Sequence, residues 1–458
     1  MGWAGEEFES LDLGDARLNR RAVLLAERLS QKPGASIPGA CGSWSETVAA
    51  YRFLDNEEVN WDDVMAAHWQ ASHQRMAQHG VVLCIQDTTE LDYNGQQTEG
   101  LGPLSYEAQR GMYLHPTYVV TPEREPLGVI NAWMWAREFK TADDQPRGGL
   151  LESRRWIESY EVIAEQARKL PDTRHIFVGD RESDILALMV RAKELNHAAD
   201  YLVRSQHNRV LSKVDGLGGK LWDGVMQSEC IGGLVFELPA GRGRKPRMVR
   251  QEIRMQRVSL SDGKRTKKGQ DKEKDTGQIE VTCLIASEID TPAGSEPVVW
   301  RLLTNRDATT LEQACELIDW YRARWEIEMF FSVLKVGLQV EKLQLGDTRK
   351  LQTALALYMI IAWRINRLMR LGRTLPDLPA DLLFEADEWR AAFILNKSPP
   401  PKAVPTANTV IRLIAKLGGF LGRKDDGEPG AKTLWLGMRD IAVFVQGMRY
   451  ARELELAG

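Results

Sequence analysis

The rhythm of hydrophobic and polar positions changes along the chain. Up to about residue 70 it is helical. Residues 17–29 (RLNRRAVLLAERL) predict a basic amphipathic helix, with Leu18, Val23, Leu25 and Leu29 buried and Arg17, Arg20, Arg21 and Arg28 on the polar side. Residues 32–42, rich in Gly, Pro and Ser, predict a loop, and Ser45–Glu46 opens a helix running to about Leu54. From Val81 short apolar runs take over. Residues 81–85 (VVLCI) and 176–178 read as strands covered on both faces, and 113–120 and 127–135 are strand-like. Helical patterns at 151–169 and 183–195 interleave with them, which indicates an α/β or α+β core. Residues 201–304 hold β-like runs, such as 234–238 and 279–285, between Gly-rich and charged turns, and 264–276 reads as a solvated tip. Residues 298–304 (VVWRLLT) return to a buried strand. A long helix over 311–338 starts behind Thr309 and Thr310. Beyond residue 372 come a Pro-rich linker at 398–405, a helix over 411–420 and an exposed turn at 423–430.

The apolar stretch 354–363 is half the roughly 20 residues a membrane span needs, so it predicts a buried helix. Residues 1–10 are acidic and lack a basic-then-apolar signal pattern, and the five cysteines are scattered without C-x-x-C. A reducing, cytoplasmic setting without a membrane fits. No H-E-x-x-H occurs, so a metal would take oxygen ligands, which favours Mg²⁺ or Mn²⁺. The net charge of −4, from 60 Lys+Arg and 64 Asp+Glu, at first argues against nucleic acid. It conceals a division. Residues 201–276 carry 17 Lys+Arg against 9 Asp+Glu, a local +8. DNA binding is therefore expected on particular faces and to be salt-sensitive.

Asp87 and Asp180 each follow a buried strand after one residue, and carboxylates at neighbouring strand ends can converge at a sheet edge. The competing reading makes each a turn or cap residue, with Asp180 capping the helix near Ser183. On an uninterrupted helix Tyr321, Arg324, Glu328 and Lys335 share a sector of about 60°. A solvated Glu–Lys face would also give such a stripe. However, Glu328 and Lys335 are not an i,i+4 pair, and Tyr, Arg and Lys suit phosphate beside a cation-binding Glu.

IQDTTEL at 85–91, GDRESDI at 179–185 and YRARWEIEMFFSVLK at 321–335 resemble the three catalytic blocks of the DDE transposases of bacterial insertion-sequence family four, the Tn5-like cut-and-paste enzymes. The last block keeps Tyr-x-x-Arg-x-x-x-Glu-x-x-x-x-x-x-Lys and the second keeps Asp-Arg-Glu-x-Asp. LGDAR at 13–17, AYRF at 50–53, VRS at 203–205, WRLLT at 300–304 and LGGF at 417–420 are similar in kind and order. The segment after Leu371 is short for the group, and 423–432 departs from its pattern.

The resemblance implies an α/β, ribonuclease-H-like mixed-sheet core with a β-rich insertion, flanked by helical domains. The expected boundaries are 1–70 for DNA binding, 71–371 for catalysis with the insertion at about 205–300, and 372–458 for dimerisation. It implies a metal triad of Asp87, Asp180 and Glu328 holding two Mg²⁺ or Mn²⁺ ions. The reaction expected is nicking, hairpin formation, hairpin resolution and strand transfer. Tyr321, Arg324 and Lys335 would hold phosphates, and Trp300 would stack a flipped base unless it is a core residue. Arg204 and Lys342 are further phosphate candidates, and Arg17, Arg20 and Arg21 would read the terminal repeat unless they form a merely solvated face. The partners implied are double-stranded DNA with transposon-end inverted repeats, target DNA and a second copy of the chain, in the bacterial cytoplasm at the nucleoid. The alternatives are a catalytically silent DNA-binding regulator and a purely hydrolytic ribonuclease-H-like nuclease. A two-carboxylate glycosidase leaves Arg324 and Lys335 unexplained.

Overall fold

The structure, a computed structural model, describes residues 2–139, 153–211, 219–238, 245–261, 278–423 and 426–457. The expected solvated tip at 264–276 and residues 424–425 of the C-terminal turn lie outside the described residues, as do residues 242–244, the start of a basic run (RGRKPRMVRQEIRMQR, 242–257) that is a further candidate for DNA contact.

In chain order the opening helices are α1 (Trp3–Glu7), α2 (Ala16–Gln31), α3 (Ile37–Ala40), α4 (Trp44–Asp55) and α5 (Trp61–Met76). Strands β1 (Val81–Gln86), β2 (Thr89–Asp92), β3 (Gly102–Pro103), β4 (Arg110–Val120) and β5 (Pro126–Trp135) follow. Then come α6 (Arg154–Lys169), β6 (Arg174–Gly179), α7 (Leu186–Glu194), β7 (Asp200–Arg204) and α8 (Leu221–Gln227). The β-rich stretch holds β8 (Cys230–Leu238), β9 (Arg247–Ser261), β10 (Gln278–Ile289) and β11 (Val299–Thr304). Helices α9 (Leu311–Arg322), α10 (Trp325–Ser332), α11 (Thr348–Thr374), α12 (Ala386–Leu395), α13 (Ala407–Leu417) and α14 (Ala431–Ala457) complete the chain.

Two compact units emerge. One comprises Met1–Gln78, Thr88–Gly149 and Glu326–Gly458; the other comprises His79–Asp87 and Leu150–Trp325. The second unit is built on a mixed sheet in the order β1-β6-β7-β11-β10-β9-β8. β1, β6 and β7 run parallel, and from β7 to β11 onward every pairing is antiparallel. The change of direction follows the sequence. The β6–β7 connection carries a helix, as parallel neighbours require, whereas among the described residues β8 to β11 hold no helix between them. β1 and β6 are almost continuously buried, which accounts for their unbroken apolar runs.

In the first unit β4 pairs with both β2 and β5, and β5 packs against α5 and α11. α11 is buried over most of its circumference, so the apolar stretch at 354–363 is a central helix. Among the described residues no helix is long and apolar enough to cross a membrane. A polar cluster ties α1 to α5. Val129 N–H donates to His68 Nε2 at 3.0 Å, so His68 Nδ1 carries the proton directed at Glu7 Oε1, 2.5 Å away. Arg75 grips the same carboxylate at 2.9 Å through each terminal nitrogen. Burial pushes the His68 pKa down; it would raise that of Glu7, but His68 and Arg75 hold Glu7 low.

Two local readings need correction. In α2 the buried residues are Ala22, Leu25, Ala26, Leu29 and Ser30; Leu18 is half-buried, and so is Val23, which lies off the 22-25-26-29 stripe. The expected single helix over 311–338 is interrupted. α9 ends at Arg322, Ala323 and Arg324 form a turn, and α10 gives way to a π-helical turn at Val333–Gly337. One angular spacing therefore does not hold from Tyr321 to Lys335.

Candidate catalytic and nucleic-acid site

In the second unit, parallel pairing places Ile85 opposite Val178. Asp87 and Asp180 each lie two residues further on, so they leave neighbouring strands at the same carboxyl-terminal edge. The Arg324 Nη1 donates to Asp87 Oδ2 at 2.6 Å, and both side chains are about four-fifths buried, with 16% and 21% exposure. The turn between α9 and α10 is what presents Arg324, whose N–H returns to the Tyr321 carbonyl.

Asp180 does act as a cap. Its Oδ1 accepts from Glu182 N–H at 2.8 Å at the head of a short 3-10 turn, Arg181–Ser183. Capping and ligation are compatible, because an ionised carboxylate has about four acceptor positions. Gly179 is required by close approach: a Cβ there would lie 2.4 Å from Ser183 Oγ. The turn folds that serine back, and Ser183 Oγ donates to the Asp180 carbonyl at 2.6 Å.

Tyr321 is buried, with Arg204 at the end of β7 close enough to act on its hydroxyl. Burial raises its pKa against the opposing pull of Arg324 and Arg204, so the phenol remains a proton donor. Trp300, on β11, is half-buried and stacks on Phe236 of β8, with centroids 5.4 Å apart and planes 12° from parallel.

Glu328, on α10, is half-buried in the first unit, whereas Glu326 two residues earlier is buried against Arg370. Lys335 lies in the π-helical turn. Its Nζ donates to the Glu90 carbonyl at 2.8 Å and pairs with Glu341 Oε1 at 3.1 Å. Lys342 is exposed at the end of a short 3-10 turn. His115 is buried and paired with Thr88 Oγ1 at 2.8 Å, a structural position.

Asp87 and Asp180 supply hard oxygen donors of the kind Mg²⁺ takes. Among the described residues, however, no group of three His, Cys, Asp or Glu side chains is gathered closely enough to hold a metal ion. The donor chemistry fits a divalent cation, while Arg324 already lies on one of the two carboxylates.

Arg17, Arg20 and Arg21 occupy the side of α2 away from the Ala22–Leu29 stripe. Arg17 and Arg20 are exposed and Arg21 half-buried. Arg17 folds onto the capping Asp15, Nη2 to Oδ2 at 2.8 Å, and this hydrogen bonding brings the Asp15 pKa down to about 2. That exposed pair is readily exchanged for another anion.

Comparison with known families bears on both ends of the chain. Residues 1–59, which contain the α2 arginines, match a family model described as transposase DNA-binding. Residues 360–458 match one described as the transposase Tn5 dimerisation domain. Both ends of the chain are thus similar to Tn5-like transposases. Its DNA-binding match covers α1 to α4, and its dimerisation match runs from within α11 through α14. A solved structure, the cryo-EM piggyBac transposase synaptic complex with hairpin DNA, aligns at 9% identity and a TM-score of 0.36. The alignment covers 97% of this chain and 81% of that one, but at such a score it carries no argument about fold or chemistry.

Asp184 is the residue whose part in the site the sequence left open. It closes the Asp-Arg-Glu-x-Asp motif, yet it is buried and turned toward the segment after β7. Its signal was the motif itself; its direction depended on contacts more than 20 residues away.

Proposed function

We propose that this chain is a DDE transposase performing cut-and-paste transposition on a ribonuclease-H-like core. The observation that carries the reading is the pair Asp87 and Asp180 at adjacent strand ends, with Arg324 on Asp87 and Arg204 beside Tyr321 in the same unit. Asp87, Asp180 and Glu328 are the residues that would hold Mg²⁺ or Mn²⁺, two ions per site. Bound divalent ions activate the attacking oxygen and stabilise the leaving oxygen in an in-line displacement at phosphorus.

The chain's own residues bind and orient. Arg324, Arg204 and Lys335 neutralise phosphates, and Tyr321 donates a hydrogen bond to a phosphate oxygen. Lys342 extends the phosphate track. Trp300 offers an aromatic face to a base displaced at the hairpin, which offsets its unstacking. Arg17, Arg20 and Arg21 meet the transposon-end inverted repeats, and the C-terminal helices hold a homodimer in the synaptic complex. Four displacements follow: water nicks the end, the freed 3′-hydroxyl attacks the opposite strand, water reopens the hairpin, and the 3′-hydroxyl joins target DNA. Each exchanges one phosphoester or water oxygen for another at phosphorus, so none needs an external energy source. The setting is the bacterial cytoplasm, at the nucleoid.

One observation favours a second reading. The Arg324 guanidinium on Asp87 competes with a cation there, as it would in a regulator that binds ends without cutting. Incubating the protein with DNA carrying the element's terminal repeats and Mg²⁺ separates the readings. The transposase yields nicked and then hairpinned ends. Specific binding without cleavage identifies the regulator, and nicks that never become hairpins identify a hydrolytic nuclease.

A further inference from the structure

We propose that Asp184 is a positioning residue that holds Arg204 against Tyr321 and never touches DNA or metal. The inference rests on the phosphate-binding reading of Arg204 and Tyr321 given above. Asp184 is 2% exposed, too buried to meet a solvent-borne ligand. Its carboxylate is fully engaged with the segment after β7. Oδ2 accepts from Gln206 N–H at 2.7 Å and His207 N–H at 2.9 Å. Oδ1 accepts from Arg209 Nη1 at 2.5 Å, and Arg209 Nη2 returns to the Asp184 carbonyl at 2.8 Å.

These bonds pin the chain two residues beyond Arg204. The intervening Ser205 is held from its other side: its N–H donates to the Arg301 carbonyl at 2.7 Å, and its Oγ accepts from Trp222 Nε1 at 3.0 Å. The Arg301 guanidinium lies over that indole, 4.3 Å from the ring centroid. Arg204 therefore leaves β7 into a segment fixed on both sides, which sets where its guanidinium meets Tyr321. The opposite end of the same turn carries Asp180, four residues before Asp184. One short turn thus joins a candidate ligand to the anchor of a candidate phosphate clamp. Burying an ion is costly, and apolar side chains of similar volume are often as stabilising, so a buried acid has an advantage where direction matters; here direction sets Arg204.

The test is single-turnover nicking of terminal-repeat DNA with Mg²⁺ by full-length protein. Asp184→Asn keeps the shape and an oxygen for the two amides, but it turns an N–H₂ toward Arg209. Nicking should slow about tenfold to a hundredfold, the scale of a small misplacement, with end-DNA Kd unchanged. Asp184→Asn should add nothing in an Arg204→Ala background, because the two changes remove the same interaction. Arg209→Gln should partly rescue Asp184→Asn by giving its N–H₂ an acceptor. Losses that multiply in the double variant, or a weakened end-DNA Kd, overturn the proposal. Hydrogen exchange on the wild-type protein without DNA reads the anchor independently of cleavage. Gln206 and His207 amides should be protected like the interior of β7, and rapid exchange there also overturns the proposal. Wild-type protein that binds ends but never nicks them would sink the catalytic reading while leaving the exchange result intact.

Discussion

Two carboxylate–arginine pairs, one in each unit, use the same chemistry to opposite ends. Glu7 with Arg75 lies under the first unit's surface, 7% and 17% exposed, and His68 completes its hydrogen bonding. Asp87 with Arg324 is closer still, 2.6 Å against 2.9 Å, but Asp87 is 21% exposed and stands at a strand end rather than between helices. In the first pair each partner is required by the others, because a buried charge without its counter-charge is strongly destabilising. In the second, the carboxylate keeps access to solvent and can exchange partners. Burial, more than the pairing itself, separates the interlocked pair from the one assigned to the proposed chemistry.

The sharpest way to break that comparison is Asp87→Ala. It should reduce end cleavage about ten-thousand-fold or more, the scale of losing a group essential to the chemistry, and leave end binding largely intact in a mobility-shift assay. Retained cleavage would remove Asp87 from the site. Glu7→Ala should do the reverse, costing about 3–5 kcal/mol in urea denaturation because His68 and Arg75 lose their shared carboxylate. A loss below about 1 kcal/mol would show that the cluster is not the interlocked unit described here.

The first pair should also respond to pH. His68 is held neutral in the fold by burial, its pKa below the usual His value. Below about pH 6.5 the unfolded chain takes up a proton that the folded one refuses, so stability falls as pH drops from there toward the depressed folded value. The low Glu7 pKa adds a second loss further down, as pH falls through its own folded value. Denaturation at pH 7.5 and 5.5 should differ by up to about 1.4 kcal/mol per pH unit, and His68→Asn should shrink that difference. The smallest expected effect is at α2. Arg17→Ala should weaken end binding modestly and lower the salt slope by about one, without altering cleavage of bound DNA. An unchanged slope would assign Arg17 to Asp15 alone.

Much of the local structure was legible in the sequence. β1 and β6 are short apolar runs because both faces are covered, and α11 was marked by an apolar stretch too long for a strand and too short for a membrane. Thr310 signalled the start of α9, where it forms a capping box with Gln313. The N-cap of α4 was displaced by two residues, from Ser45 to Ser43, because either serine suits the position and only the backbone geometry selects one. The interruption at Ala323 and Arg324 left no such trace, since neither residue is a helix breaker. The stripe from Tyr321 to Lys335 consequently did not survive as a single helical face.

What the sequence determined by itself was the inventory: the acids at strand ends, the basic face of α2, the local excess of positive charge and the motif spacing. These depend on residue type and on periods of two and 3.6, which are local properties. Tertiary structure decided the partners. It put Arg324 on Asp87, Arg204 on Tyr321, Glu341 on Lys335 and Asp184 under the segment after β7. Each joins side chains far apart along the chain, and only the packed fold brings such groups within hydrogen-bond range.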